Sequence, residues 1–156
     1  MSRMLTDLTP TLEAKARKFL VICADRNLPV HITCTARSIQ EQEALYAQGR
    51  ETLSKVNELR KAVGLWALTE EENRRPPVTW TLKSRHIVYS PNEKARAFDV
   101  AIVKDKQFVW DLKVNVNDND IPDWEEIGIL GESCGLEWGG RWNRPDRPHF
   151  QEKENS

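Results

Sequence analysis

The first stretch with a clear hydrophobic period runs from Thr9-Pro10 to Asn27. Leu12, Ala16, Phe19, Leu20 and Cys23 recur at three- and four-residue steps, which predicts an amphipathic helix capped by Thr9, with Pro10 at its first position. After Asn27-Leu-Pro29 the period changes to two. Val30-His-Ile-Thr-Cys-Thr35 is β-branched and alternating, so it predicts a strand ending near Arg37, with His31 on the face of Thr33 and Thr35. Ser38-Ile-Gln-Glu41 matches a capping box, and Ala44, Leu45 and Ala47 carry an apolar stripe to a stop at Gly49. Residues 50–66 continue in a helical style with Leu53, Val56, Leu59 and Val63 on one face, weakened near Gly64. The charged run from Thr69 to Pro77 predicts a short helical turn and then a solvated loop.

Further along, Val78-Thr-Trp-Thr-Leu82 alternates and predicts a short strand leading to Ser84-Arg-His86. Ser90-Pro-Asn-Glu-Lys94 is rich in turn formers. Ala97 to Val103 is the strongest strand pattern, with Asp99 sharing a face with Ala97 and Ala101 while Phe98, Val100 and Ile102 take the other. Phe108 to Asp111 follows as its expected hairpin partner, and residues 115–120 as loop. Pro122 opens a predicted helix that turns Trp124, Ile127 and Leu130 inward and stops at Gly135. The tail, residues 137–151, packs two tryptophans, two glycines, two prolines, carboxylates and a histidine together. An ordinary surface tail has no physical use for that mixture. The last residues, Glu152 to Ser156, are expected to fray.

The 156 residues make a chain of ordinary single-domain size, read as one domain over 1–156 with a loop at about 87–96. Twenty-three basic against 24 acidic residues leave a formal charge of -1, which offers no footprint for nucleic acid or an acidic membrane. The opening residues lack the apolar core of a signal peptide, and no run approaches membrane-spanning length, so a soluble chain made in the cytoplasm is expected. Cys23, Cys34 and Cys134 are odd in number and unpaired in spacing. They read as buried small apolar residues, not as a disulfide framework or zinc ribbon.

Chemistry concentrates on a few positions. Asp146-Arg-Pro-His149 sets a carboxylate three residues before an imidazole, and the chain has only two other histidines, His31 and His86. His31 reads as a structural or surface residue. If His86, Asp99 and His149 converge, two imidazoles and a carboxylate form a set that suits zinc and leaves a fourth position for water, as in catalytic sites. Such an ion lowers the pKa of water and polarises a carbonyl, permitting hydrolysis near neutral pH. Asp146 is then the candidate base, Glu137 the alternative carboxylate, and Arg37 the fixed cation for a developing oxyanion. Each has a plain rival from spacing alone: Asp146 orienting an imidazole, Arg37 pairing with a surface acid, the tryptophans serving as core.

Ser84-x-His86, Ala97-x-Asp99, Trp138-Gly-Gly-Arg-Trp142 and Asp146-x-x-His149-Phe-Gln resemble the motifs of the zinc D,D-peptidase and L-alanyl-D-glutamate peptidase family. That family includes vancomycin-resistance D,D-carboxypeptidases and many phage endolysins. Thr35-Ala-Arg37-Ser-Ile-Gln-Glu-Gln42 through Tyr46-Ala-Gln-Gly49-Arg50 is similar to its N-terminal signature, so the resemblance spans residues 30 to 151. It implies an α+β fold of the Hedgehog/D,D-peptidase type, with a small antiparallel sheet carrying zinc and flanked by helices. His86, Asp99 and His149 would ligate the metal, Asp146 would be the acid/base, and Arg37 would hold substrate or oxyanion. One departure is plain: the family sets the aspartate about seven residues after the first histidine, whereas Asp99 follows His86 by thirteen, and Ala95 stands at the glycine position. A roughly six-residue insertion costs little loop entropy, and it makes the 87–96 loop a candidate substrate-gripping flap.

The resemblance therefore implies a zinc peptidoglycan hydrolase of endolysin type, a monomer that cuts the L-Ala-D-Glu bond of the stem peptide. The Asp-x-x-His tail and the Tyr-Ala-Gln-Gly-Arg run favour that branch. Without a signal peptide, such a lysin would reach the wall through a holin-like pore or another export route. The alternatives are a D,D-carboxypeptidase removing terminal D-Ala and a non-catalytic zinc-stabilised module that grips the wall.

Overall fold

The computed structural model describes residues 1–154. Thr9 accepts from the Leu12 amide and Pro10 takes the first position, so α1 begins where the sequence predicts and runs over Pro10–Asp25. It is followed by β1 (Val30–Cys34), α2 (Ile39–Ala47), α3 (Leu53–Ala62) and α4 (Glu70–Asn73). Then come β2 (Ala97–Lys104), β3 (Gln107–Val109), α5 (Asp123–Ser133), β4 (Leu136–Trp138) and β5 (His149–Glu152). A 3₁₀ turn at Gly139–Arg141 joins the last two strands' approach. The fold class is the expected α+β.

All strand pairs are antiparallel. β2 has β1 on one edge, and on the other β5 beside its first half and β3 beside its last, with β4 outside β5. The register separates two chemistries. Phe98, Phe150 and Trp138 lie opposite one another and point to the face covered by α1 and α5, where Phe19 packs 4.8 Å from Phe150 and 6.1 Å from Phe98. Leu12, Ala16, Phe19 and Cys23 from α1 join Trp124, Ile127 and Leu130 from α5 in this core. The other face aligns Cys34, Asp99 and His149 in one row and Ala97, Gln151 and Glu137 in the next. Residues one apart on a strand point opposite ways, so a polar row can sit directly behind an aromatic core.

Three expectations need correction. Val78–Leu82 forms no strand: its backbone is held by side chains, Gln42 donating to the Thr79 hydroxyl and Thr81 carbonyl and Arg50 to the Thr79 carbonyl. The helix expected over 50–66 is shorter, because Thr52 caps it late and Gly64 (φ 74°) ends it early. The tail, read from its composition only as a candidate site, contains β4 and β5. Glu152 is not frayed but buried in β5, accepting from the Thr9 hydroxyl and pairing with Arg96; residues 155 and 156 lie outside the described ones. The three cysteines are buried free thiols as expected. Among the described residues no helix is long and apolar enough to cross a membrane.

Candidate metal centre

Three elements deliver the donors. Asp99 and His149 face each other across the β2–β5 ladder, a direct cross-strand pair. His86 arrives on a loop stitched to the end of β1: its carbonyl accepts from the Arg37 amide, the Arg37 carbonyl accepts from Val88, and the Ser84 hydroxyl accepts from the His86 amide. His86 Nε2 lies 3.2 Å from Asp99 Oδ1, His149 Nδ1 lies 3.1 Å from the same oxygen, and the two nitrogens are 3.3 Å apart. A tetrahedral ion with bonds of ~2.0 Å needs donor separations of ~3.3 Å, so this triangle fits zinc.

The outer nitrogens of both imidazoles are already assigned. His86 Nδ1 sits 2.6 Å from the Thr35 carbonyl oxygen, and His149 Nε2 sits 2.9 Å from Gln151 Oε1. A carbonyl can only accept, so each of these nitrogens carries the proton and the inner nitrogen presents its lone pair. Two lone pairs and a carboxylate then converge, an arrangement that calls for a cation. The protonation behaviour says the same: burial opposes charge on His86, yet the Asp99 carboxylate prevails and raises its pKa to about 10. Burial likewise opposes the Asp99 anion, but His86 and His149 hold its pKa well below the usual range.

Cys34, His86 and Asp99 also bring donor atoms within 4.8 Å of one another. Cys34 is not the third ligand of the triangle, because its sulfur lies 3.7 Å from Nδ1 of His86, the nitrogen facing away, and accepts from Arg37 Nε at 3.2 Å. Arg37 is one hub of the centre: besides Cys34, it donates to Asp99 Oδ2 at 2.8 Å and to Gln42 Oε1 at 3.2 Å. The rival pairing of Arg37 with an unrelated surface acid is thus replaced by a partly buried pair with Asp99.

Asp146 is brought to the rim by the turn before β5. Its amide donates to the Gly139 carbonyl and its carbonyl accepts from the His149 amide. Gly139 is required here, since a Cβ would come within 2.5 Å of the Asp146 carbonyl oxygen. Crowding by surrounding chain, then the Asp99 charge, push the Asp146 pKa up, against His149, His86 and Arg37. Its exposure at the rim lets water moderate that shift. Glu137 accepts from Trp142 Nε1 at 2.9 Å, and the Trp142 ring lies 5.0 Å from the His149 ring, so Glu137 anchors an aromatic wall of the site. His31 stays exposed on β1, away from the triangle.

Spacing did not point to Thr35, Cys34 or Gln151 as supports. Gln151 had a usable signal: two residues after His149 in an extended chain, it must share the histidine's face. A cleft of about 440 Å³ opens beside Asp99 and Arg37, walled by Trp66 and Trp110 and carrying Arg60 and Arg75. A second hollow of about 390 Å³, between α2 and α3, contains none of the triangle.

A two-histidine, one-carboxylate triangle on one face of an antiparallel sheet, with a further carboxylate at its rim and an open cleft, has the donor set of a metal-dependent hydrolase. The comparisons specify it. A family model described as D-alanyl-D-alanine carboxypeptidase matches residues 81–152. The peptidoglycan L-alanyl-D-glutamate endopeptidase CwlK of Bacillus subtilis is 28% identical over 148 residues, covering 94% of this chain and 74% of that protein. The crystal structure of the L-Ala D-Glu endopeptidase ChiX of Serratia marcescens superposes with a TM-score of 0.56 at 20% identity, covering 96% of this chain and 83% of that one. Over residues 81–152 the chain is thus similar to the D-alanyl-D-alanine carboxypeptidase family, and these likenesses support a metallopeptidase acting on peptidoglycan.

Proposed function

We propose that this protein is a zinc peptidoglycan hydrolase of endolysin type that cleaves the L-Ala-D-Glu bond of the stem peptide. The observation that carries the reading is the triangle of His86 Nε2, Asp99 Oδ1 and His149 Nδ1 with Asp146 at its rim. The L-Ala-D-Glu endopeptidase activities of CwlK and ChiX, to which the chain is similar, support this choice of bond. His86, Asp99 and His149 hold zinc, which when bound acidifies water and polarises the scissile carbonyl. Asp146 takes the proton of the attacking water and hands it to the leaving amine, a role its raised pKa suits. Thr35 and Gln151 keep both imidazoles in the ligating tautomer. Arg37 fixes the second oxygen of Asp99 and has further N–H groups for the oxyanion.

The test measures the metal content of wild type and H149A and digests purified stem peptides with both. The expected result is about one zinc per wild-type chain, a product beginning at D-Glu, and loss of metal and cleavage together in H149A. Release of single D-Ala would instead establish the D,D-carboxypeptidase, and a zinc-loaded wild type that cuts nothing would establish the wall-binding module.

A further inference from the structure

Two residues before Asp146, across Pro145, stands Arg144. A residue preceding proline favours extended backbone, so Arg144 and Asp146 flank Pro145 on the same short approach to β5. The Arg144 guanidinium carbon lies 4.3 Å from the centre of the Trp80 ring. Among the described residues it has no hydrogen bond or ion pair, whereas its neighbour Arg141 is paired with Glu132. Trp80 is 57% exposed, yet its position is fixed. Gln42 and Arg50 grip Thr79 and Thr81 on either side of it, and the Arg50 guanidinium approaches the same ring at 5.5 Å. Stacking on an indole holds a guanidinium in place without using its N–H donors. Two residues from the acid/base candidate there is therefore a cation held on an aromatic ring with its donor fork unspent.

The endopeptidase reading identifies what such a cation meets. Asp146 passes its proton to the amine nitrogen of D-glutamate. The carbon bearing that nitrogen also bears the α-carboxyl, which is free because the stem peptide continues through the γ-carboxyl. A cation anchored two residues from Asp146 is thus within side-chain reach of the α-carboxylate of the leaving residue. We propose that Arg144, held on Trp80, binds this α-carboxylate and makes the enzyme discriminate stem peptides with D-glutamate from those amidated to D-isoglutamine. Gln42 links the two sites: it accepts from Arg37, which holds Asp99, and supports the segment presenting Trp80.

The inference rests on the endopeptidase reading, and one experiment separates the two. Zinc-loaded full chain is given N-acetyl-L-Ala-γ-D-Glu-L-Lys and its D-isoglutamine counterpart, and kcat/KM is measured for each. Wild type is expected to favour the acid by about tenfold, the scale of a charge-assisted pair at a wet rim. R144A, and R144Q with bulk kept and charge lost, are expected to bring the ratio towards one by losing rate on the acid. A wild-type ratio near one, or a wild-type ratio retained in either variant, overturns the subsite while leaving the endopeptidase standing. Failure of wild type to cut either peptide overturns the endopeptidase, and the subsite falls with it.

Discussion

Asp99 is asked to do several things at once, and its neighbours divide the work. One oxygen faces both inner nitrogens, and the other accepts from Arg37. Taking a carboxylate out of water is unfavourable unless its lone pairs are filled, and here the two imidazoles and the guanidinium fill them. Asp146 differs because crowding and the nearby Asp99 charge favour its neutral form, the profile of a group that alternately takes and gives a proton. A carboxylate base works only when ionised. kcat/KM should therefore climb with pH through the raised Asp146 pKa and level off above it, the low-pH limb belonging to this residue. D146N should lower kcat/KM by ~10²–10⁴-fold and erase the limb. A pH profile of both proteins decides: an unchanged limb in residual D146N activity would assign it to another group.

At the scale of elements, the centre depends on strands whose two faces serve different ends. β5 places His149 and Gln151 on the site face and Phe150 between them in the core. The sequence made much of this readable. Ala97–Val103 alternates cleanly enough to set Asp99 apart from Phe98 and Val100, and α1 and α5 announce themselves through caps and period. β4 and β5 were harder, because each spans only three or four residues and carries polar side chains whose burial rests on partners distant in sequence. Glu152 shows the difficulty: it looks like a fraying end, yet Thr9 and Arg96 stabilise it. Val78–Leu82 shows the converse, an alternating run that stays unpaired because Gln42 and Arg50 occupy its polar groups.

α5 packs on β5 through Gly131, where a Cβ would lie 2.3 Å from a ring carbon of Phe150. Alanine in a helix interior gains ~1 kcal/mol over glycine. Phe150 is fully buried against Phe19 and Phe98 and has little room to yield, so overpacking of ~1–3 kcal/mol should win. G131A is expected to melt several degrees lower than wild type in thermal unfolding followed by circular dichroism. A higher Tm would show that Phe150 has freedom to move.

For the whole molecule, a metal held by the proposed ligands would clamp chain segments far apart in sequence. The triangle ties the loop at His86 to the paired strands β2 at Asp99 and β5 at His149, and through Arg37 it reaches the start of α2 as well. A ligand that binds only the folded chain stabilises it by mass action, so removing zinc with a chelator should lower the Tm. The pH dependence sharpens this. In metal-free protein the folded His86 pKa is raised from 6.5 to about 10, so its pairing with Asp99 contributes stability that is full below pH 6.5 and is lost as pH rises towards 10. Asp99, depressed in the fold, contributes stability present above its ordinary value of 3.8 and lost only as pH falls through its folded value. Between pH 5 and 8 the metal-free protein therefore keeps the Asp99 contribution and, above pH 6.5, begins to lose that of His86. The loaded protein moves the other way, since protons compete with zinc for the imidazoles and binding tightens as pH rises. The Tm difference between zinc-loaded and chelator-treated protein should widen steadily from pH 5 to pH 8, measured by differential scanning calorimetry at fixed free zinc. In H149A the widening should vanish; a gap independent of pH in wild type would mean that the stabilising ion binds somewhere other than the histidine triangle.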